Sequence, residues 1–369
     1  MPQPFLTVLM TVYNGGVYLS RAIRSVLSQE YKDFEFLIVD DRSTDDSLTT
    51  IESFNDPRIR LIKNVRNIGQ TASLNVGLRE ACGQYIARID ADDLALPHWL
   101  ECQVQAAQEF PENAVISVQA VVINEKGFIK QLLEVPLTHQ EIVLRSLTAS
   151  PVNHGGCLMK RSVILKYGGY DESFRILADY DLWARMIQGG EKFSSGEKVL
   201  MAIRFHEGSI SRAEKDTAVA EETKRVFRHH IAFLAQMGLS DIEVTLLWEL
   251  CYKIDSISFQ DMDSALGLLQ SIGNKLCLKN GDKSNTINHL KARIKIFLVK
   301  KLFICLLAGD QSGTLHIYER LRHYCPHSSM AAFFLQKLFL GSLGEKIPAL
   351  FDQVRRLRAV LSLKQWVLS

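Results

Sequence analysis

The feature that most constrains this chain is a pattern repeated through its first 93 residues: a short apolar run ends in polar or acidic residues, and a helix signal follows. Leu6–Val12 is the first run, and the turn Tyr13-Asn14-Gly15-Gly16 comes after it. Residues 18–29 then set Leu19, Ile23, Val26 and Leu27 on one helical stripe. Residues 34–39 read as a second buried strand ending in Asp40 and Asp41, and residues 43–46 supply capping side chains for a helix through Phe54. A third strand is expected over 58–63, a helix over 70–81, and a fourth strand over 85–89 that runs into Asp90. Alternating β and α elements with continuous apolar strands imply an α/β fold, a mostly parallel sheet with helices on both faces. Ligands of such sheets bind at the carboxyl ends of the strands. Thr11 and Tyr13, Asp40 and Asp41, and Asp90, Asp92 and Asp93 are therefore expected to converge on one crevice.

Beyond Ala114 the pattern is mixed, with strands near 115–123 and 156–160 and a helix across 180–188. Strand signals fade between 212 and 220, and segments 222–237, 242–254, 265–276, 288–307 and 312–324 read as amphipathic helices. The expected organisation is a first domain over 1–215, with halves of about 1–110 and 111–215, and a helical region over 216–369.

Three acidic stretches carry the chemistry. Residues 88–93 (RIDADD) end a buried strand, and alternate carboxylates there can grip Mg²⁺ or Mn²⁺, hard cations that prefer oxygen and keep positions for phosphate oxygens. The same residues also fit an acidic turn capping a helix that begins near Pro97. Asp40 and Asp41 can accept hydrogen bonds from a ribose or a base N–H, or simply close a strand-to-turn junction. Asp179 stands where a loop becomes a helix; it suits a general base taking a proton from a hydroxyl, or an N-cap with Trp183 as the buried anchor of that helix. His206 lies beside a polar turn and is either a metal ligand or a structural imidazole.

Taken in order, these stretches resemble the family 2 glycosyltransferases, inverting enzymes with the GT-A fold. The matching segments are 8–14 (VLMTVYN), 25–29 (SVLSQ), 39–45 (VDDRSTD), 66–75 (RNIGQTASLN), 85–93 (YIARIDADD), Asn153-His154, 168–171 (GGYD), 178–183 (ADYDLW) and 204–211 (RFHEGSIS). The resemblance covers residues 5–211, and its ordered set of motifs is highly specific. It implies that Thr11, Tyr13 and Asp41 hold the nucleotide base, usually uracil, with Asp40 nearby, and that Asn75 and Arg88 line the donor pocket. Asp90 would meet the ribose, and Asp92 and His206 the metal, Mn²⁺ or Mg²⁺. Asp179 matches the base, and Trp183 and His154 match the acceptor side. Two positions depart from the family pattern: Arg42 replaces the usual Gly after the acidic pair, and Ala178 replaces the Glu often found before the base.

The implied reaction is a single in-line displacement of a nucleoside diphosphate, with a UDP-sugar as expected donor and a glycan or lipid-linked glycan as acceptor. The role expected from the resemblance is bacterial cell-surface polysaccharide synthesis. A nucleotidyltransferase would need a basic, Gly-rich loop after the first strand, whereas residues 13–18 (YNGGVY) carry no Lys or Arg. A catalytically degenerate scaffold that binds sugar nucleotides is the other alternative. Seven scattered cysteines without a CxxC pair argue against a zinc ribbon or a disulfide framework.

The net charge of +2 is unevenly spread: residues 286–369 hold 13 Lys/Arg against 4 Asp/Glu, net +9, which leaves −7 for residues 1–285. Within that basic region, residues 354–368 combine an apolar helical stripe with Arg355, Arg356, Arg358 and Lys364. Such a segment suits contact with an anionic membrane or packing against other helices. No signal peptide is read at the start, and no run reaches the roughly 18–20 apolar residues of a membrane span. The expectation is a cytoplasmic protein, at the inner face of the plasma membrane if the basic helices touch lipid, with no nucleic-acid partner.

Overall fold

The computed structural model describes residues 4–206, 208, 209, 217–280 and 310–324, together with residues 291, 294, 297, 298, 301, 302, 304, 305 and 308. The basic stretch 354–368 lies outside the described residues, as does much of 288–307. The chain separates into two compact units, Met1–Gly238 and Leu239–Ser369.

The first unit is built on one nine-stranded sheet. Its first half is wound from β1 (Leu6–Val12), α1 (Leu19–Leu27), β2 (Phe34–Asp40), α2 (Ser47–Glu52), β3 (Ile59–Lys63), α3 (Gln70–Glu80) and β4 (Tyr85–Arg88). β1 pairs in parallel with both β2 and β4, and β2 in parallel with β3. β1 is almost wholly buried because its apolar residues face helices on both sides, the condition that makes a parallel strand a continuous apolar run. The register puts Val12 beside Asp40 and Leu9 beside Arg88. Ladder bonds then carry on past the strand ends, from Asp41 N to Val12 O (2.7 Å) and from Ile89 N to Leu9 O (3.2 Å). The polar residues after β1, β2 and β4 therefore leave the sheet along the same edge.

The second half is mixed. It adds β5 (Leu94–Ala95), α4 (Trp99–Glu109), β6 (Asn113–Ile123), β7 (Ile129–Leu133), α5 (His139–Arg145), β8 (Leu158–Lys160), α6 (Arg161–Lys166), α7 (Ala178–Gln188) and β9 (Lys192–Arg204). The strand order is β3-β2-β1-β4-β8-β6-β9-β5, with β7 paired to β6. β8 is antiparallel to β4 and β6, β6 is parallel to β9, and β5 is antiparallel to β9. The 13-residue β9 has no counterpart in the sequence reading, because its pairing with β6 shifts register three times and so erases any period-2 pattern. β7 was also invisible, since residues 129–132 are all exposed and no core selects their faces. This α/β arrangement is the GT-A type that the resemblance implies.

α8 (Thr217–Ala235) packs against α7 and supplies two long-range anchors to the first unit. Glu222 accepts the N–H groups of Arg175, Ile176 and Leu177 at 2.8, 3.0 and 2.8 Å, and His230 Nε2 lies 2.7 Å from Ser146 Oγ. The second unit contains α9 (Asp241–Tyr252), opened by a Ser240/Glu243 capping box, then α10 (Phe259–Asn280) and α11 (Gln311–Tyr324). No helix among the described residues is long and apolar enough to cross a membrane.

Two backbone positions govern stability near the sheet edges. Gly83 donates its N–H to Thr7 Oγ1 at 2.8 Å, and a Cβ at 83 would lie 2.4 Å from Thr7 N and 2.5 Å from Leu6 C. Those are backbone atoms that cannot swing aside, so Gly83→Ala is expected to lower stability by about 3 kcal/mol. Arg42 sits at φ 65°, where a Cβ crowds the following carbonyl. Arg42→Gly is expected to raise stability by about 1 kcal/mol. Urea unfolding followed by tryptophan fluorescence measures both shifts.

Candidate active site

The loops after β1 and β2 are stitched into one ledge. Asn14 takes the left-handed conformation at φ 52°, and its Oδ1 accepts Thr44 N at 2.8 Å. Gly15 N donates to Ser47 Oγ and Gly16 N to Asp45 Oδ2, at 2.8 and 3.1 Å. The α2 cap differs from the sequence expectation. Asp46 occupies the N-cap position without a side-chain bond, while Asp45 Oδ1 accepts Ser47 N at 3.0 Å. The acidic run thus serves the β1 loop as much as the helix. Tyr13 stands on this ledge with 53% of its surface exposed, and Thr11 lies half-buried below it.

The neighbouring acids are unequally committed. Asp41 is buried and accepts Asn64 Nδ2, Ile68 N and Gly69 N at 2.8, 2.9 and 2.8 Å, which fixes the loop leading into α3. Asp40, also buried, receives only Ser43 N, at 3.3 and 3.4 Å to its two oxygens, and keeps more acceptor capacity for a ligand. The left-handed backbone at Arg42 explains why glycine suits this turn; the Arg42 side chain projects into solvent. Asn75, expected in the donor pocket, spends its amide on the protein: Nδ2 donates to Tyr170 O and Glu172 Oε1, and Oδ1 accepts Tyr170 N, each at 2.9 Å. It reaches the crevice by holding the 170–172 loop against α3.

Residues 88–93 form the charged centre. The buried Arg88 guanidinium grips both carboxylate oxygens of Asp90, and Gln70 Nε2 adds a bond to Asp90 Oδ1 at 3.3 Å. Burial raises the Asp90 pKa and the Asp92 charge adds to this, against the pull of Arg88. Asp93 is buried too; its Oδ1 accepts Arg204 N at 2.8 Å, while its Oδ2 has no hydrogen-bond partner among the described residues. Burial, reinforced by Asp90 and Asp92, pushes the Asp93 carboxyl well above the usual range. Three carboxylates crowd here, and Arg88 engages only one.

The Asp92 carboxylate meets His206, 114 residues away, with Oδ2 2.9 Å from Nε2. Both side chains keep some exposure, 28% and 20%. Two ligands at right angles on a cation with bonds of about 2.1 Å stand about 3 Å apart, so this pair suits a small divalent ion. His206 Nδ1 accepts Gly208 N at 3.1 Å, which leaves the ring proton on Nε2, shared with Asp92. Among the described residues, the trio of ligand atoms close enough to share one ion is Glu30, His98 and Glu101. It is largely exposed and lies at the other end of α1 from Tyr18.

On the far side of Arg88, Asp179 opens α7 in the helix's first turn, half-buried, and Ser150 Oγ donates to its Oδ2 at 3.3 Å. Burial raises its pKa, partly countered by the Tyr180 N–H, Arg88 and Ser150. His154 Nε2 lies 2.8 Å from Tyr170 Oη, and burial, aided by the Arg88 charge, drives its pKa well below the normal value, so the ring is neutral. Trp183 has no exposed surface. It packs edge-on against His154 and Phe193, at 5.9 Å in each case, and so reaches an acceptor only by supporting His154. The sequence assigns no role to Glu222, Ser150, Tyr170 or Arg204. Tyr170 and Arg204 stand inside the matching segments 168–171 and 204–211, which do not say which neighbour a side chain meets; Ser150 and Glu222 stand in no motif.

Comparison with known proteins extends these observations. The model of glycosyl transferase family 2 matches residues 7–168. The uncharacterized glycosyltransferase MJ1057 of Methanocaldococcus jannaschii is 34% identical over 226 residues, 58% of this chain and 76% of that protein. The succinoglycan biosynthesis protein ExoO of Rhizobium meliloti is 28% identical over 247 residues, 63% of this chain and 71% of ExoO. Among solved structures, S. aureus TarS 1-349 in complex with UDP-GlcNAc superposes with a TM-score of 0.53 at 17% identity, covering 86% of this chain and 91% of that one. The structural likeness speaks for the fold, and the sequence likeness to MJ1057 spans three quarters of that relative. The chain belongs to glycosyl transferase family 2.

Proposed function

We propose that the protein transfers a sugar from a UDP-sugar to a hydroxyl of a glycan or lipid-linked glycan, with inversion, in the synthesis of a bacterial surface polysaccharide. The observation that carries this reading is the meeting of Asp92 with His206 beside an over-charged acidic cluster, with a separate raised carboxyl at Asp179. The two relatives that bear on the substrates are ExoO, named for succinoglycan biosynthesis, and TarS, solved with UDP-GlcNAc.

In this reading Tyr13 offers an exposed ring for stacking the base, and Asp40 has acceptor capacity for its N–H. Asp90, held rigid by Arg88, accepts from the ribose. Asp92 and His206 would hold Mn²⁺ or Mg²⁺, which would supply positive charge for the departing diphosphate. Asp179 takes the acceptor proton as that oxygen attacks the anomeric carbon from the face opposite the leaving group, which gives inversion. A carboxyl raised by burial is better matched to this task than an ordinary exposed one. Residues 1–215 would carry the chemistry, and the helical region after them is proposed as the part that meets the acceptor's surroundings.

The decisive test is a donor screen with UDP-, GDP- and dTDP-sugars in Mn²⁺ or Mg²⁺, reading nucleoside diphosphate release, with Asp92→Ala as control. Metal-dependent release from a UDP-sugar, lost in Asp92→Ala, is expected; donor binding without turnover on any acceptor would favour a sugar-nucleotide-binding scaffold instead. Asp179→Asn is expected to lower kcat by about 10³-fold, within the usual range for removing a general base, and to leave the donor dissociation constant unchanged. Turnover at the wild-type rate would remove Asp179 from that role.

The pH profile gives an independent check. Activity requires ionised Asp179, so kcat is expected to fall as pH drops through its raised pKa. Ser150→Ala removes a hydrogen bond that favours the ionised form, so the acidic limb should move to higher pH. A limb that stays put, or moves down, contradicts the assignment.

A further inference from the structure

Asp92, His206, Tyr18 and Arg204 form a closed circuit of contacts, in which Tyr18 and the Arg204 side chain have no role in the chemistry described so far. Arg204, the last residue of β9, is buried; its Nε donates to Asp92 O at 2.9 Å, and its Nη1 reaches Asn124 O and Glu125 O at 3.1 and 3.2 Å. The Arg204 guanidinium lies 4.6 Å from the centre of the Tyr18 ring. The same Tyr18 ring lies 5.1 Å from the His206 ring at an interplanar angle of 36°. His206 closes the circuit through its 2.9 Å contact with Asp92.

Tyr18 belongs to the short turn Gly16–Tyr18 that joins the donor-side ledge to α1. Its ring therefore touches a segment that sequence separates from it by more than 180 residues. His206 lies two residues beyond the last residue of β9, half-buried, and its ring has contacts with Asp92, Gly208 and Tyr18. The imidazole is held at its two nitrogens by Asp92 and the Gly208 N–H, and Tyr18 supports its ring face; without Tyr18 it keeps those two bonds but loses that support against tilting away from Asp92. Arg204 also loses the π-face above which its charge is held, and with it part of the restraint on the Asp92 backbone.

We infer that Tyr18 is a positioning residue for the metal pair, holding the His206 imidazole against Asp92 through its ring face and steadying Arg204, which fixes the Asp92 carbonyl. The hydroxyl plays no part in this, since both contacts are made by the ring. The inference rests on the reading that Asp92 and His206 hold the cation. Because Tyr18 is continuous with the ledge that carries Tyr13, it also ties the place of the base to the place of the diphosphate.

Outer partners of metal ligands typically change affinity by about 10–100-fold when removed. The test is Mn²⁺ binding to the full chain, read by loss of the free-ion electron paramagnetic resonance signal, for wild type, Tyr18→Phe, Tyr18→Ala and His206→Ala. Circular dichroism melting of each variant checks folding. Tyr18→Ala is expected to weaken Mn²⁺ binding by about 10-fold, at the low end of that range, while Tyr18→Phe binds as wild type does. Wild-type binding that His206→Ala leaves intact would sink the metal reading and this inference together. Wild-type binding that His206→Ala weakens but Tyr18→Ala does not would overturn the role of Tyr18 alone. Equal weakening in Tyr18→Phe and Tyr18→Ala would also overturn it, because the hydroxyl and not the ring would then be responsible.

Discussion

A guanidinium buried at the end of a β-strand has to be met by a carboxylate, because an unpaired charge in that position costs several kcal/mol of lost hydration. Arg88 is that guanidinium, and Asp90 is held in a two-pronged grip to satisfy it. The consequences spread outward through the field of one fixed positive charge. It keeps His154 neutral together with burial, and it opposes the burial that raises Asp179. It acts on Asp93 as well, but there burial and the neighbouring Asp90 and Asp92 charges outweigh it. One guanidinium thus meets more carboxylate than it can offset, and Asp92 in the same cluster makes its own contact with His206.

The fold's first half was legible because its information is local. β1, β2 and β4 are short, almost wholly buried apolar runs, and each ends where the next turn begins, so the edge carrying Asp40, Asp41 and Asp90 follows from the order of elements alone. Burial of Leu19, Ile23 and Val26 in α1 likewise follows from their spacing. The roles of individual polar groups were less legible. Asp41 and Asn75 stand within motifs that suggest ligand contact, yet most of their hydrogen-bonding capacity is turned inward, to the loop before α3 and to the 170–172 loop. A motif records that a polar side chain is needed at a place; it does not record whether the partner is a ligand or a neighbouring loop. Trp183 makes the same point for an aromatic, since its spacing after Asp179 fits an anchor and a platform equally well, and its complete burial selects the anchor.

The second half was harder to read for a different reason: its decisive contacts are long-range. β9 pairs with β6, about 80 residues earlier, and with β5, which follows Asp93 directly, and these two pairings bring Arg204 and His206 to Asp92. The loop before Asp179 hangs by three N–H groups from Glu222, in a helix that sequence alone assigns to the region beyond the sheet. A carboxylate that gathers three successive N–H groups forms a small anion nest, and its loss would leave all three donors seeking water. Nothing in the spacing of Glu222 along α8 distinguishes it from any other exposed acid on a helix.

This difference bears on how the two halves of the site share their work. The donor edge is fixed by parallel strands and by loop-to-loop bonds from Asn14, Gly15 and Gly16, none of which depends on residues after 93. Asp179 is placed by elements that arrive later in the chain: Ser150 from the segment before β8, and Glu222 from α8. The placement of Asp179 therefore depends on α8 and on the 146–154 segment, while the loops after β1 and β2 are bonded to each other without them. His154 sits at the boundary, bonded to Tyr170 on the loop that Asn75 pins to α3. That tyrosine and its loop are one link between the segment before β8 and α3, beside the β4–β8 pairing and the bond from Thr71 Oγ1 to Phe174 O at 3.0 Å.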